Sequence, residues 1–287
     1  FMQKIEVKQY MVLDFYLNLE IGSKMRIDLH NHTILCNHAT GSVDEYVQQA
    51  IELGIDEYGF ADHAPMNYDP KYRMNISQKQ QYEKWVLDAK EKYKDKIKVL
   101  LGYEVDYLDG YILDEVIKSK VDYLIGSVHF LRNKSDMWGF DNPEFIGVYK
   151  SKDIDTIWVE YFDAIKAMAK TGLFDIVGHF DLIKVFKFLP KKDIRLIAKD
   201  ALLEIKKSNM VLEINPAGLR KPINETYPSK QLLELAFELQ IDITFGSDAH
   251  SVEQVGFMYD KSLLLAKEVG YEKCISFENR DKKIVVI

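Results

Sequence analysis

Seven histidines are spread along the 287 residues. The number is ordinary, but each falls at the end of a short apolar run or in the loop just beyond it. His30 and His32 end the first run, and His38 lies in the loop that follows Asp28-Leu29-His30-Asn31-His32-Thr33. His63 follows Ala61-Asp62, His129 follows Gly126-Ser127-Val128, His179 follows Val177-Gly178, and His250 follows Gly246-Ser247-Asp248-Ala249. Two carboxylates keep the same company: Glu104 ends a run at Gly102-Tyr103-Glu104, and Asp248 precedes His250 by two. Alternate residues of an extended segment point the same way, so His30 with His32, and Asp248 with His250, can converge. Imidazole nitrogen suits zinc, iron or manganese, and a carboxylate can bridge two ions for hydrolysis. Together these residue types point to a multinuclear hydrolytic metal site. A single histidine at a strand end is ordinarily a hydrogen-bonded structural residue, and a single carboxylate a cap or ion-pair partner. The repetition of the placement separates the two readings. Cys36, close to the cluster in sequence, is read as an inert thiol.

Such residues meet only on a scaffold whose strands all end on one face. Strands are predicted over residues 25–30, 58–62, 97–104, 123–128, 174–178, 210–214 and 241–246, with 283–287 as a further edge or closing strand. Between them, Ser42 caps a helix that begins Val43-Asp44-Glu45 and that Gly54 closes. Other helices are predicted over 77–93, 110–118, 153–170, 190–207, 229–239 and 259–269. This alternation implies a parallel sheet with right-handed crossovers, doubly wound or closed as a barrel, with its site at the strands' C-terminal ends.

A composition 47% apolar and 29% charged is that of a folded chain with a large core. Net charge −7 gives no general attraction to nucleic acid, which is not expected as a partner. Cys36 and Cys274, far apart, fit free thiols in a reducing compartment, and a cytoplasmic protein is expected. No apolar run is long enough to span a membrane, and Asp14 and Glu20 interrupt the stretch where a signal sequence would lie. Phe1, ahead of Met2, reads as an appended residue, and residues 1–24 as an N-terminal extension. No Pro, Gly or Ser-rich linker divides residues 25–287, which are expected to form one domain.

Over residues 25–250 the sequence resembles the PHP, or polymerase and histidinol phosphatase, superfamily. The likeness rests on the His30 to His38 segment, Ala61-Asp62-His63, Gly126-Ser127-Val128-His129, Gly178-His179 and Gly246-Ser247-Asp248-Ala249-His250. Ala64-Pro65 with Arg73-Met74, Gly102 to Tyr107, and Phe174 to His179 with Asp181-Leu182-Ile183-Lys184 resemble its histidinol phosphatase branch. The resemblance implies an α/β fold, a distorted (β/α)7 TIM-like barrel, with two to three divalent ions of zinc, manganese or iron. It implies that His30, His32, Glu104 and Asp248 surround one ion, that Glu104 bridges to a second held with His129 and His179, and that His38, His63 and His250 hold a third. The implied reaction is hydrolysis of L-histidinol phosphate, a step of histidine biosynthesis, by a metal-activated hydroxide.

A phosphomonoester needs further contacts, for which Arg220 and Lys184, both following strand ends, are the basic candidates, with Arg73, in the long loop after His63, as a third. Asp248 or His250 could relay a proton to the leaving oxygen. Tyr68 and Asp69 could supply an apolar wall and an acidic partner for an amino alcohol carrying an imidazole. The competing readings are a PHP-type phosphoesterase acting on nucleotides, phosphotyrosine or a DNA 3′ end, a barrel amidohydrolase, and a non-catalytic metal-binding protein. Glu104 and the Asp248-Ala249-His250 ending fit an amidohydrolase less well.

Overall fold

Several of the predicted strands are apolar on both sides of the chain, the pattern of a sheet covered on both faces. In the computed structural model, which describes residues 25–133 and 136–287, seven strands make one parallel sheet. The predicted extension, residues 1–24, lies outside the described residues. The strands are β1 (Ile27–Asp28), β2 (Glu57–His63), β3 (Lys98–Asp106), β4 (Tyr123–Ser127), β5 (Phe130–Asn133), β6 (Asp136–Gly139), β7 (Ile176–Val177), β8 (Val211–Ile214) and β9 (Ile243–Phe245). The sheet runs β1-β2-β3-β4-β7-β8-β9, while β5 and β6 form a separate antiparallel hairpin that the sequence reading did not anticipate.

The sheet closes on itself. Leu29 N donates to Phe245 O (2.8 Å), Asp248 N to His30 O (2.7 Å) and His32 N to Ala249 O (3.0 Å), which joins the first strand to the last. The result is a distorted seven-stranded TIM-like barrel, distorted because β1 and β7 are two residues long. Inside it the Tyr123 hydroxyl crosses from β4 to donate to Leu29 O at 2.6 Å. Gly59 leaves the room: a Cβ there would overlap that hydroxyl.

The helices form much as their end signals indicate. Ser42 and Glu45 make a reciprocal capping box at the start of Val43–Glu52, and Asp153 accepts from Thr156 N to cap Ile154–Lys170; each such cap is worth about 1 kcal/mol. The predicted 110–118 helix shrinks to Asp114–Ile117, with Gly110 left outside at φ +85°. Residues 283–287 do not close the barrel, because β1 and β9 have already done so. They belong instead to β11 (Asp281–Val286), which pairs antiparallel with β10 (Lys273–Glu278). This hairpin seals the floor at the strands' N-terminal ends, where Phe277 meets the Tyr123 ring at 5.9 Å and Arg280 N donates to Asp122 O at 2.8 Å.

Candidate metal centre

Chain closure sets the first half of the site. The seam between β1 and β9 aligns Asn31 with Ala249, so His30, His32, Asp248 and His250 come together from opposite ends of the chain. His63 is the last residue of β2 and is in register with Glu104 on β3. His129 and His179 lie two residues beyond β4 and β7. Asp248 (φ +54°) and His179 (φ +23°) have left the usual backbone region, a strain of roughly 1–3 kcal/mol each that side-chain-bearing residues retain at functional sites.

Glu104 is the hub. Its Oε2 lies 2.9 Å from His63 Nδ1, 3.5 Å from His30 Nε2 and 3.8 Å from His32 Nε2. Its Oε1 lies 2.9 Å from His179 Nε2 and 3.7 Å from His129 Nε2. Asp248 Oδ1 is 3.2 Å from His32 Nε2. Donor atoms within 4.8 Å of one another come from His30, His32 and Glu104, from Glu104, His129 and His179, and from His32, His63 and His250. His38 stands beside the third set, with ring centroids 4.6 Å from His250 and 5.3 Å from His63. Its donor atom groups instead with Cys36 and His250, because the Cys36 carbonyl holds His38 Nδ1 at 2.8 Å.

The second ring nitrogens show what this arrangement can hold. His30 Nδ1 meets Glu213 Oε1 at 2.6 Å, His129 Nδ1 meets Asp106, and His250 Nδ1 meets the Asp248 carbonyl at 3.0 Å. Each contact fixes a ring and leaves Nε2 facing the cluster, where the Nε2 atoms of His30, His32 and His250 are buried with no hydrogen-bond partner. Buried polar atoms are almost always satisfied, and an imidazole anchored through one nitrogen is the usual presentation of a metal ligand. The donor set fits divalent ions.

Charge reinforces the fit. Burial alone would raise the Glu104 carboxyl, yet His63, His30 and His129 hold it well below the usual range; burial likewise opposes, and His30 and His32 enforce, ionisation of Asp248. Against burial, Asp248 and Asp62 push His32 up to about 9, while Asp106 and Glu104 push His129 up to about 10. Burial and His63 bring His38 down to about 4, and burial with His32 holds His250 well below its ordinary value.

A PHP domain family model matches residues 28–217. The chain belongs to the PHP domain family. It is 36% identical over 261 residues to the probable histidinol-phosphatase of Deinococcus radiodurans, covering 88% of this chain and 96% of that one. A candidate histidinol phosphatase structure from Listeria monocytogenes superposes with TM-score 0.75 at 30% identity, covering 82% of this chain and 99% of that one. The histidinol phosphate phosphatase of Lactococcus lactis, solved with zinc, L-histidinol and phosphate, has the same fold, with TM-score 0.73 at 21% identity over 90% of this chain and 98% of that one.

Above the cluster this PHP barrel opens into a cavity of about 710 Å³. Of the three basic residues singled out in the sequence, Arg220 and Arg73 line it and Lys184 does not. Lys184 is buried with its ammonium held by Glu225 (2.6 Å), Asp181 (2.9 Å) and the Thr226 carbonyl (2.7 Å), so all three of its N–H donors are taken. The expected phosphate contact is withdrawn for Lys184. Arg73 is an ion-pair partner of Asp106 and donates to the Asp69 carbonyl at 2.8 Å. Arg220 Nη2 donates to the carbonyls of Asp248 (2.9 Å) and Ser247 (3.1 Å), whereas its Nη1 is buried without a partner. Tyr68 and Asp69 are also in the wall.

The sequence reading missed the carboxylates behind the histidines: Asp62 beside His32, Asp106 beside His129 and Glu213 beside His30. Two carried a signal. Asp106 lies two residues after Glu104 on one strand, and Glu213 is the acid in the otherwise apolar Val211-Leu212-Glu213-Ile214. Gly246 lets the third assemble, since a Cβ there would overlap both Glu213 and His30.

Proposed function

We propose that this protein is a metal-dependent phosphomonoesterase that hydrolyses L-histidinol phosphate to L-histidinol and phosphate, a step of histidine biosynthesis. One observation carries the phosphatase reading: Glu104 turns one oxygen to His30, His32 and His63 and the other to His129 and His179, at the base of a cavity that Arg220 also lines. The 36% identity to a probable histidinol-phosphatase over nearly its whole length supports the substrate.

In this reading His30, His32, Glu104 and Asp248 hold one ion, Glu104, His129 and His179 a second, and His38, His63 and His250 a third, giving two to three ions of zinc, manganese or iron. Such ions supply Lewis acidity toward phosphoryl oxygens and a source of nucleophile at neutral pH. Arg220, whose guanidinium is fixed in the cavity wall through Nη2, would give a phosphoryl oxygen a charge-assisted contact. Arg73, anchored on Asp106, adds positive charge to the wall without having to move. Asp248 and His250 are both deprotonated at neutral pH. Asp248, or His250 where its Nε2 holds no ion, would first take a proton from the attacking water and then hand it to the leaving oxygen.

Residues 25–287 act as a single phosphoesterase domain in this assignment, with a small-molecule substrate and no nucleic-acid partner. No helix among the described residues is long and apolar enough to cross a membrane. We place the protein in the cytoplasm, where its buried free thiols, Cys36 and Cys274, stay reduced.

The test is phosphate release by metal-replete protein from L-histidinol phosphate, AMP and phosphotyrosine, with metal content measured on the same sample. A kcat/KM far higher for L-histidinol phosphate is expected. Comparable values would reject the substrate and leave the phosphatase. No release from any ester by protein carrying its ions would favour a non-catalytic metal-binding protein.

A further inference from the structure

Four carboxylates face the cavity: Asp69, Glu104, Asp141 and Asp248. Glu104 and Asp248 are committed to the histidine cluster, and Asp69 lies 3.6 Å from Arg73 Nη2. Asp141 differs from all of them: among the described residues it makes no hydrogen bond and no ion pair, although it follows a strand whose neighbours are firmly held. Phe140 N donates to the His129 carbonyl at 3.2 Å, and the Phe140 carbonyl accepts from the Tyr149 hydroxyl at 3.0 Å. The backbone before Asp141 is therefore tied directly to one of the cluster histidines.

A lone carboxylate in a cavity built to admit a dianion repels that dianion. The repulsion is offset only when the ligand brings its own cation, so the group acts against phosphate esters that lack one. Beside it, Tyr68 and Phe130 meet edge to face at 5.1 Å and give an aromatic wall in the same cavity. We infer that Asp141 is the specificity-determining residue of this site: its carboxylate receives an ammonium group on the leaving alcohol and so selects phosphomonoesters carrying a cation close to the ester oxygen. This inference rests on the phosphatase reading above and moves the acidic partner from Asp69, which already faces Arg73, to Asp141.

Two small esters isolate the effect, since O-phosphoethanolamine and ethylene glycol monophosphate differ only by ammonium in place of hydroxyl. The wild-type enzyme is expected to prefer the ammonium ester. Asp141→Asn, at unchanged metal content, should lower kcat/KM for that ester about tenfold, the scale of one charge-assisted contact. The same variant should raise kcat/KM for the glycol ester severalfold, and Asp141→Glu should restore the preference. An unchanged ratio between the two esters in Asp141→Asn, or a parallel loss for both, overturns the inference. L-Histidinol phosphate, run alongside, separates the two claims. If the wild type favours it over AMP and the ester ratio ignores Asp141, the substrate reading stands and the Asp141 role falls. If the ratio collapses in Asp141→Asn but L-histidinol phosphate is no better than AMP, the Asp141 role stands and the histidinol assignment falls.

Discussion

The two ends of the barrel both bury acidic residues, and they treat them oppositely. At the floor the carboxylates sit at strand starts and are satisfied by the protein itself. Asp122 accepts from Leu101 N and Lys90 Nζ, each at 3.0 Å, Asp175 accepts from Leu124 N (2.7 Å) and pairs with Arg280, and Glu57 accepts from the Ser276 hydroxyl. At the top Glu104 and Asp248 face histidines whose buried Nε2 atoms include three without partners. A satisfied polar end holds the fold together, whereas the other end leaves coordination unmet, which is the condition for binding something else.

That contrast can be broken by substitution. Glu104→Ala should cost more than about 100-fold in kcat, beyond the range usual for outer-shell partners, and should lower metal content, because both groups of donors share this carboxylate. Near-normal turnover with normal metal content would refute its bridging position. At the floor Phe277→Ala should instead destabilise the fold by about 3–5 kcal/mol, as for other buried aromatics, and leave kcat of the folded protein unchanged. Denaturant titration alongside steady-state kinetics separates the two quantities, and a matching loss of kcat would dissolve the distinction between the ends.

Smaller effects sharpen it. Glu213→Gln keeps the shape but removes the charge that holds His30, and roughly 10–100-fold weaker metal binding is expected from competition with a chelator. Arg220→Ala should raise KM about tenfold for every phosphomonoester, since a phosphate contact does not read the leaving group; a change confined to one substrate would reassign Arg220. The last effect is on protons. In the metal-free chain His32 and His129, raised to about 9 and about 10, are protonated at pH 7, while a metal ligand must be neutral imidazole. Ion binding at pH 7 should therefore release protons, measurable by calorimetry in buffers of differing ionisation enthalpy, and heats independent of buffer would contradict those raised values. The same shifts stabilise the metal-free fold fully below the unfolded histidine value, roughly 6.5. That contribution is lost as pH climbs through about 9 and 10.

The gathering of histidines and carboxylates was legible because its signals are local. His30 and His32 share a face through strand periodicity, and Glu104 is conspicuous as an acid ending an apolar run. Lys184 shows where such reasoning stops: its place five residues after His179 says nothing about direction, and the short turn Leu182–Lys184 sends its ammonium into Asp181 and Glu225. Glu213 was overlooked for a related reason, since its partner His30 lies 183 residues away. The β5–β6 hairpin, only four residues per strand with polar residues interspersed, had too little periodicity to stand out, yet it places Phe130 and Gly139 in the cavity wall.

The seam between β1 and β9 has a consequence for the birth of the molecule. Its candidate ligands, His30, His32, Asp248 and His250, lie more than two hundred residues apart in sequence, so a chain emerging from the ribosome carries the first pair long before the second exists. A product ending before Asp248 would lack the seam's second pair, although it would already carry Glu104, His129 and His179. Once bound, the ions would act as a clasp across the barrel's last-made joint. Chelation should then loosen the joint first, seen as faster hydrogen exchange at the Leu29, His32 and Asp248 amides than at the amides between β2 and β3.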